Sequence, residues 1–226
     1  MAFVDPSKLL IWVHTWHGRD DLRGTTLRSL DASDAKGMYK IKRQPPGVDR
    51  DDFYMTTLRE MCSDETVEWM LRIEDDAVVS KHIVHNVCCW SATQHELFGA
   101  GWLSVTSEMV RDASHVASHG GFLTREFPEA HFAGGVLMRT SFLAGVLPLV
   151  RRRLSLGEYR DSTPTEVRNV PRRFAPGCAL SNAVWNSGRR VFFHSPSIVA
   201  IDMTIQTYHG KPSVQWDQPY NENWRA

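Results

Sequence analysis

No stretch of this sequence approaches the roughly 18 consecutive apolar residues that a membrane-crossing helix requires, so no such span is predicted. The start, Met1-Ala2-Phe3-Val4-Asp5, lacks a basic segment leading into a longer apolar one. That argues against a secretory leader and points to the cytoplasm. Cysteine is scarce: the 4 present, Cys62, Cys88, Cys89 and Cys178, show no CxxC spacing and two are adjacent. Such spacing suits neither a disulfide framework nor a zinc site, and reduced thiols in a core are expected. Net charge is missing too, with 26 basic residues balanced by 26 acidic ones. What remains, 42% hydrophobic and 23% charged residues, is the composition of an ordinary globular protein. A chain of 226 residues is long enough to bury a real core, and one domain covering 1–226 is predicted.

The zero net charge hides a segregation. Residues 151–190 hold nine Arg and no Lys against Glu158, Asp161 and Glu166, a net +6 that the rest of the chain offsets. Arg without Lys suggests forked contacts to phosphate or carboxylate. The plainer alternative is a solvated helix end with scattered surface Arg.

The apolar run over residues 9–13 reads as a buried first strand. A polar loop, His14-Thr15-Trp16-His17-Gly18-Arg19-Asp20, follows it, and residues 24–35 read as a helix with Leu27 and Leu30 inward and a Ser33-Asp34 exit. Residues 39–43 alternate like a second strand stopped by Pro45-Pro46-Gly47, and 51–62 give a second helix. A third strand over 67–73 runs into Glu74-Asp75-Asp76. This βαβαβ order predicts a parallel, nucleotide-binding half-sheet. Further on, a helix is predicted over 81–94 and strands over 101–106, 122–127 and 131–139; residues 107–121 give mixed signals. A helix capped by Ser141 and interrupted at Pro148 should follow. The polar connection 155–173 is a candidate substrate loop. A short helix over 179–186, stopped by Gly188, then leads to a strand over 190–194 and a last segment to 202.

Three adjacent carboxylates at a strand end need a cation. At the carboxyl edge of a parallel sheet, where open α/β folds bind ligands, they can hold Mg²⁺ or Mn²⁺ through oxygen and so carry a diphosphate. The bland reading is an acidic turn that stops a strand. The Gly134-Gly135 pair heads an apolar strand and allows a ligand or another backbone to approach. His82, His85 and His95 are potential ligands, although such histidines are more often exposed or locally hydrogen-bonded.

These residues together resemble the glycosyltransferases of the GT-A fold. Val13-His14-Thr15 with Arg19, then Leu27-Arg28-Ser29-Leu30, is similar to the family's first strand and helix. Trp69 to Ala77, with Glu74-Asp75-Asp76, resembles its Asp-x-Asp metal motif in the form seen among lipopolysaccharide-type transferases. Phe132 to Arg139 looks like the acceptor-side glycine segment, and Ala179-Leu180-Ser181, Gly188-Arg189-Arg190-Val191 and Pro196-Ser197-x-Val199 look like the closing helix and strand. The resemblance spans residues 9–202, in short and degenerate pieces whose order carries the weight. It implies a single α/β domain, a mostly parallel mixed sheet flanked by helices, with residues 1–100 binding the nucleotide sugar and 101–226 the acceptor. It also implies a metal-dependent transferase using a nucleotide sugar, a UDP-sugar by preference, with Mn²⁺ or Mg²⁺.

On that resemblance Asp76 contacts the metal, and Asp75 or Glu74 binds a second metal site or the ribose. Thr15, His17, Arg19, Arg43 and Arg72 line the donor pocket, while Gly134, Gly135, Arg172 and Arg173 face the acceptor. The family's acidic residue before the closing helix is replaced here by Pro176-Gly177-Cys178. Asp161, Glu166 and Asp202 are the candidates for the base, and a retaining reaction needs none. Asp202 or His209 is the candidate late metal ligand. The Arg excess suggests a polyanionic acceptor, such as a hydroxymethylated pyrimidine in DNA, with Trp102, Trp185, Trp216 and Tyr208 as candidate stacking groups. A saccharide or lipid-linked acceptor, a nucleotidyltransferase and a non-catalytic nucleic-acid-binding protein with the same fold are the competing readings.

Overall fold

The computed structural model describes residues 1–104, 122–125, 134–155, 176–194, 197–201, 222–223 and 225. The run at the start forms β1 (Leu9–Thr15), followed by α1 (Asp20–Asp31), β2 (Tyr39–Arg43), α2 (Arg50–Met61) and β3 (Trp69–Glu74). Then come β4 (Ala77–Val79), α3 (Ile83–Cys88), β5 (Phe98–Trp102), β6 (Phe122–Arg125) and β7 (Gly135–Arg139). The remaining elements are α4 (Thr140–Ser155), α5 (Pro176–Asn186), β8 (Arg190–His194) and β9 (Val199–Ile201).

Seven strands form one sheet in the order β2-β1-β3-β7-β5-β8-β6. β1, β2, β3, β5 and β8 run one way, and β7 and β6 run the other. The sheet is therefore mixed and mostly parallel in direction, as expected. Helices cover both faces. On one side Trp12, Met70, Val136 and Phe193 pack under Tyr54 and Leu58 of α2, Leu143 and Val150 of α4, and Leu180 and Val184 of α5. On the other, Ile11, Val13, Leu71 and Ile73 meet Leu30 of α1 and Ile83, Val84 and Val87 of α3. Burial on both faces explains why the central strands read as continuous apolar runs rather than alternating ones. No described helix is long and apolar enough to cross a membrane.

Several boundaries differ from the sequence reading for identifiable reasons. Helix α1 starts and ends four residues earlier than predicted. Asp34, read as the helix exit, instead accepts the backbone N–H groups of Val84 and His85 at 2.9 Å and so caps α3. The helix predicted over 81–94 stops at Cys88, because the buried Trp90 adopts an extended backbone and lies against the sheet. The strand predicted over 101–106 is Phe98–Trp102. Its glycines lower strand propensity, yet a Cβ on Gly101 would sit 2.2 Å from the Trp90 ring. Glycine is there to admit the indole.

Thr140, not Ser141, anchors the start of α4, its hydroxyl donating to the Val67 carbonyl at 2.7 Å. The helix continues through Pro148. α5 begins at Pro176, a residue whose fixed φ suits a first helical position, and so starts three residues before the predicted 179. Among the described cysteines none is bonded to another. Burial pushes the Cys62 thiol up to about 11 and Cys88 to about 12, so neither supplies a thiolate at neutral pH.

Candidate functional site

β1 lies between β2 and β3 and all three are parallel, so Thr15, Arg43 and Glu74 end side by side at one edge. The chain leaves β1 for a neighbour on one side and later returns on the other. Such a reversal opens a crevice beyond the strand ends, the usual ligand position of open α/β sheets. The β1–α1 loop forms one wall. The Gln44 N–H donates to the Thr15 carbonyl at 2.9 Å, and the Gln44 side-chain oxygen accepts the His17 N–H at 3.1 Å. Nothing in the sequence signalled that Gln44 would pin this loop.

The acidic triplet forms the opposite wall, and it divides where the strand ends: Glu74 is the last residue of β3, and Asp75 and Asp76 lie in the turn before β4. Asp75 is fully buried; its Oδ2 accepts the Trp16 N–H at 3.2 Å. Arg19 spans both aspartates, with Nη1 3.0 Å from Asp75 Oδ1 and Nη2 2.7 Å from Asp76 Oδ2. Three carboxylates at a strand end required a cation, and a forked guanidinium supplies it for two of them. Burial raises the Asp75 pKa, opposed by the Thr15 hydroxyl hydrogen bond and by Arg19. Neither Asp75 Oδ1 nor Asp76 Oδ1 has a hydrogen-bond partner among the described residues; Asp75 Oδ1 faces Arg19 Nη1 as an ion pair, whereas Asp76 Oδ1 is buried with no ion pair either.

Glu74 points to the other face. Its Oε1 pairs with Arg72 Nη1 at 3.2 Å, its Oε2 accepts the Gly134 N–H at 3.3 Å, and its own N–H donates to the Gly134 carbonyl at 2.9 Å. Burial raises its pKa, with Arg72 opposing. Arg72 is nearly inaccessible and lies over the Tyr54 ring at 5.6 Å. The buried Arg72 and the part-buried Glu74 thus pair beneath the site, whereas the sequence reading put both among the groups binding the donor. Gly134 has a positive φ of 80°, and Cβ atoms on Gly134 and Gly135 would meet Ser104 and Val199 at 3.0 and 2.9 Å. The close approach that this pair permits is by the protein's own side chains.

The structure therefore brings Thr15, Arg19, Asp75 and Asp76 together and leaves His17 and Arg43 exposed at the rim. Asp161, Glu166, Arg172, Arg173, Asp202 and His209 lie outside the described residues, as do Trp216 and Tyr208. Trp102 is a core residue, 1% exposed with its ring 5.5 Å from Phe193, and is not available to stack a base. His95 accepts the Leu97 N–H and His85 lies 3.9 Å from Cys89 Sγ. Among the described residues no three His, Cys, Asp or Glu side chains converge on a metal position. The carboxylate oxygens of the triplet are largely engaged by Arg19, Arg72 and backbone N–H groups. The free Asp76 Oδ1 is still a hard oxygen donor of the kind Mg²⁺ and Mn²⁺ take.

His14 was missed as a separate group. It is fully buried, stacks on Phe53 at 5.0 Å, and meets Trp16 and Tyr54 edge-on. Burial drives its pKa well below 6.5, and Arg72 adds repulsion. A depressed pKa gives stability that is present above the unfolded value and lost as pH falls toward the folded one. The protein is therefore expected to lose up to ~1.4 kcal/mol per pH unit through this residue once pH drops below the unfolded value. His14→Phe removes that component. Urea unfolding at several pH values between about 7.5 and 5 checks it, and equal pH slopes for the two proteins would rule it out.

Fold and site together define an α/β protein with an arginine-bridged acidic crevice at a topological switch point. No family model and no curated protein matches the sequence. Among solved structures the chain is similar to a glycosyltransferase involved in the glycosylation of the major capsid of PBCV-1. The two are 10% identical, with a TM-score of 0.40, over 85% of this chain and 92% of that one.

Proposed function

We propose that this protein is a glycosyltransferase that takes a sugar from a nucleoside diphosphate donor, a UDP-sugar, in the crevice at the ends of β1, β2 and β3. The observation that carries the reading is the buried Asp75–Asp76 pair at the switch point, held by Arg19, in which Asp76 Oδ1 has neither a hydrogen bond nor an ion pair among the described residues. Asp76 is the residue that holds Mn²⁺ or Mg²⁺. Asp202 and His209 are the candidate second ligands. When bound, the cation neutralises charge that grows on the leaving β-phosphate.

Thr15, His17 and Arg43 line the nucleotide, and Arg19 offers two parallel N–H donors to a phosphate. The acceptor hydroxyl has a pKa far above neutrality, so an inverting reaction needs a carboxylate within hydrogen-bond reach to take its proton. Asp161, Glu166 and Asp202 are the candidates. Residues 1–100 serve the donor and 101–226 the acceptor. A thermal-shift screen of nucleotide sugars with Mn²⁺ tests the donor half. A true donor at about 100 times its Kd adds ~2.7 kcal/mol to stability. No shift with any nucleotide sugar sinks the reading.

For the acceptor we propose a hydroxymethylated pyrimidine in DNA, with the protein acting in the cytoplasm. The support is the net +6 over residues 151–190. Of that block Arg151, Arg152 and Arg153 lie in the last turns of α4, where the helix dipole also favours cations. Phosphate contacts make such binding salt-dependent. Transfer to hydroxymethylcytosine DNA that weakens as salt rises is expected, and no transfer at any ionic strength overturns the DNA assignment.

A further inference from the structure

We propose that Arg19 is a displaceable resident cation: it occupies the acidic crevice in the free protein and moves onto the donor diphosphate when a divalent cation reaches Asp76. The inference rests on the donor-site reading above and adds a coupling to it, namely that metal and nucleotide bind together rather than separately.

The two halves of the Arg19 fork are not equivalent. Asp75 is fixed from behind, since its Oδ2 also receives the Trp16 N–H and its side chain is fully inaccessible. Among the described residues Asp76 is held through Oδ2 by Arg19 Nη2 alone, and its other oxygen has no partner. A cation that approached Asp76 would meet a carboxylate already facing a positive charge. With Arg19 in place the site would then carry a guanidinium and a divalent ion against the same two aspartates. Metal alone is therefore opposed by like-charge repulsion at short range. A diphosphate changes the balance, because it offers the guanidinium a forked anionic partner of its own.

The local backbone permits the transfer. Arg19 stands between Gly18, whose positive φ of 81° and open surroundings mark a turn, and the first residue of α1. Its own dihedrals, φ −109° and ψ 36°, are not helical, and no side chain caps the helix at that position. Its side chain is 16% exposed against 0% for Asp75, so the guanidinium lies at the mouth and the carboxylate at the floor. Rotation about the long side chain carries the guanidinium outward without moving β1.

The test is Mn²⁺ binding followed by electron paramagnetic resonance, with and without UDP, for the wild type, Arg19→Gln and Arg19→Lys. Removing the fork is expected to tighten binding of Mn²⁺ alone by ~10-fold or more, a difference of about 1.4 kcal/mol. UDP is expected to tighten Mn²⁺ binding strongly in the wild type and far less in Arg19→Gln, because coupling between two ligands is reciprocal. Melting temperature gives a second readout: Mn²⁺ should stabilise Arg19→Gln more than the wild type by replacing the lost counter-charge. If Arg19→Gln does not fold, Arg19→Lys, which keeps one charge without the fork, should show the same changes at smaller size. Equal Mn²⁺ affinities in all three proteins, with UDP–Mn²⁺ binding intact, overturn the Arg19 proposal and leave the donor site standing. Absence of Mn²⁺ binding in every protein, with UDP present, overturns the donor-site reading and this proposal with it.

Discussion

Asp76→Asn should lower sugar transfer on the order of 10²–10³-fold, the usual consequence of removing one group that meets charge developing at the leaving phosphate. The substitution keeps the shape of the side chain and exchanges one oxygen for an amide nitrogen. The oxygen now facing Arg19 Nη2 at 2.7 Å can be preserved by the amide carbonyl, so the loop stays in place. The second position, occupied by the free Oδ1, becomes an NH₂ that repels a cation. Activity should therefore fall much more than stability, because Asp75 and the Trp16 N–H still hold the crevice together. Calorimetry with UDP and Mn²⁺, run beside the transfer assay and a melting curve, separates the two effects. A folded Asp76→Asn protein with full metal-dependent donor binding is incompatible with the proposed role. The same variant also distinguishes the competing class of function: a non-catalytic nucleic-acid-binding protein would keep its DNA affinity and its activity in the cell.

The largest expected loss of stability comes from Glu74→Met, about 3–5 kcal/mol, the range for breaking a buried ion pair from one side. Arg72 side-chain exposure is 2%, and a guanidinium cannot shed its proton to relieve burial. The partner change, Arg72→Met, should cost less. Glu74 is 23% exposed and its pKa is already raised, so it can become neutral. A carboxyl whose folded pKa is raised contributes stability below its unfolded value that is lost as pH rises through the folded one. The Arg72→Met protein should accordingly recover toward acid pH, whereas Glu74→Met should not. The double substitution should recover most of the loss, since an apolar pair of similar volume avoids desolvating two charges. Urea midpoints for the three variants at two pH values check all of this. Equal losses for the two single variants, independent of pH, would show that the pair is not acting as described.

Much of the fold was legible because it depends on local pattern. The apolar runs at 9–13 and 67–73, the turn at Pro45-Pro46-Gly47 and the helical spacing between them predicted β1-α1-β2-α2-β3 in the right order. The limits of elements were less legible wherever a distant residue intervened. Asp34 reads as a helix exit until α3 is seen to use it as a cap. The strand predicted from Gly101 onward instead spans Phe98–Trp102, where the Trp90 ring needs the space that Gly101 leaves.

The site divides in the same way. Arg72 and Glu74 are two apart on a strand, so their common face was readable from the period of two. That they neutralise each other was not, because it required knowing that α2 seals that face with Tyr54. His14 gave no signal of its own, since only the helix packed over it determines whether a strand-end histidine is wet or dry.

The sequence by itself determined that a β-α-β-α-β unit would end in three carboxylates, because strand and helix propensity and the placement of turns act over a few residues. Only the tertiary structure decided which charges those carboxylates meet. Arg19 reaches Asp75 and Asp76 across more than fifty residues of chain, and Glu74 is clamped to Gly134 by the antiparallel entry of β7 beside β3. Such pairings depend on strand order and register, which are set by the packing of the whole sheet. The triplet's need for a cation was thus written locally, and its first answer, a guanidinium from the neighbouring loop, was supplied by the fold.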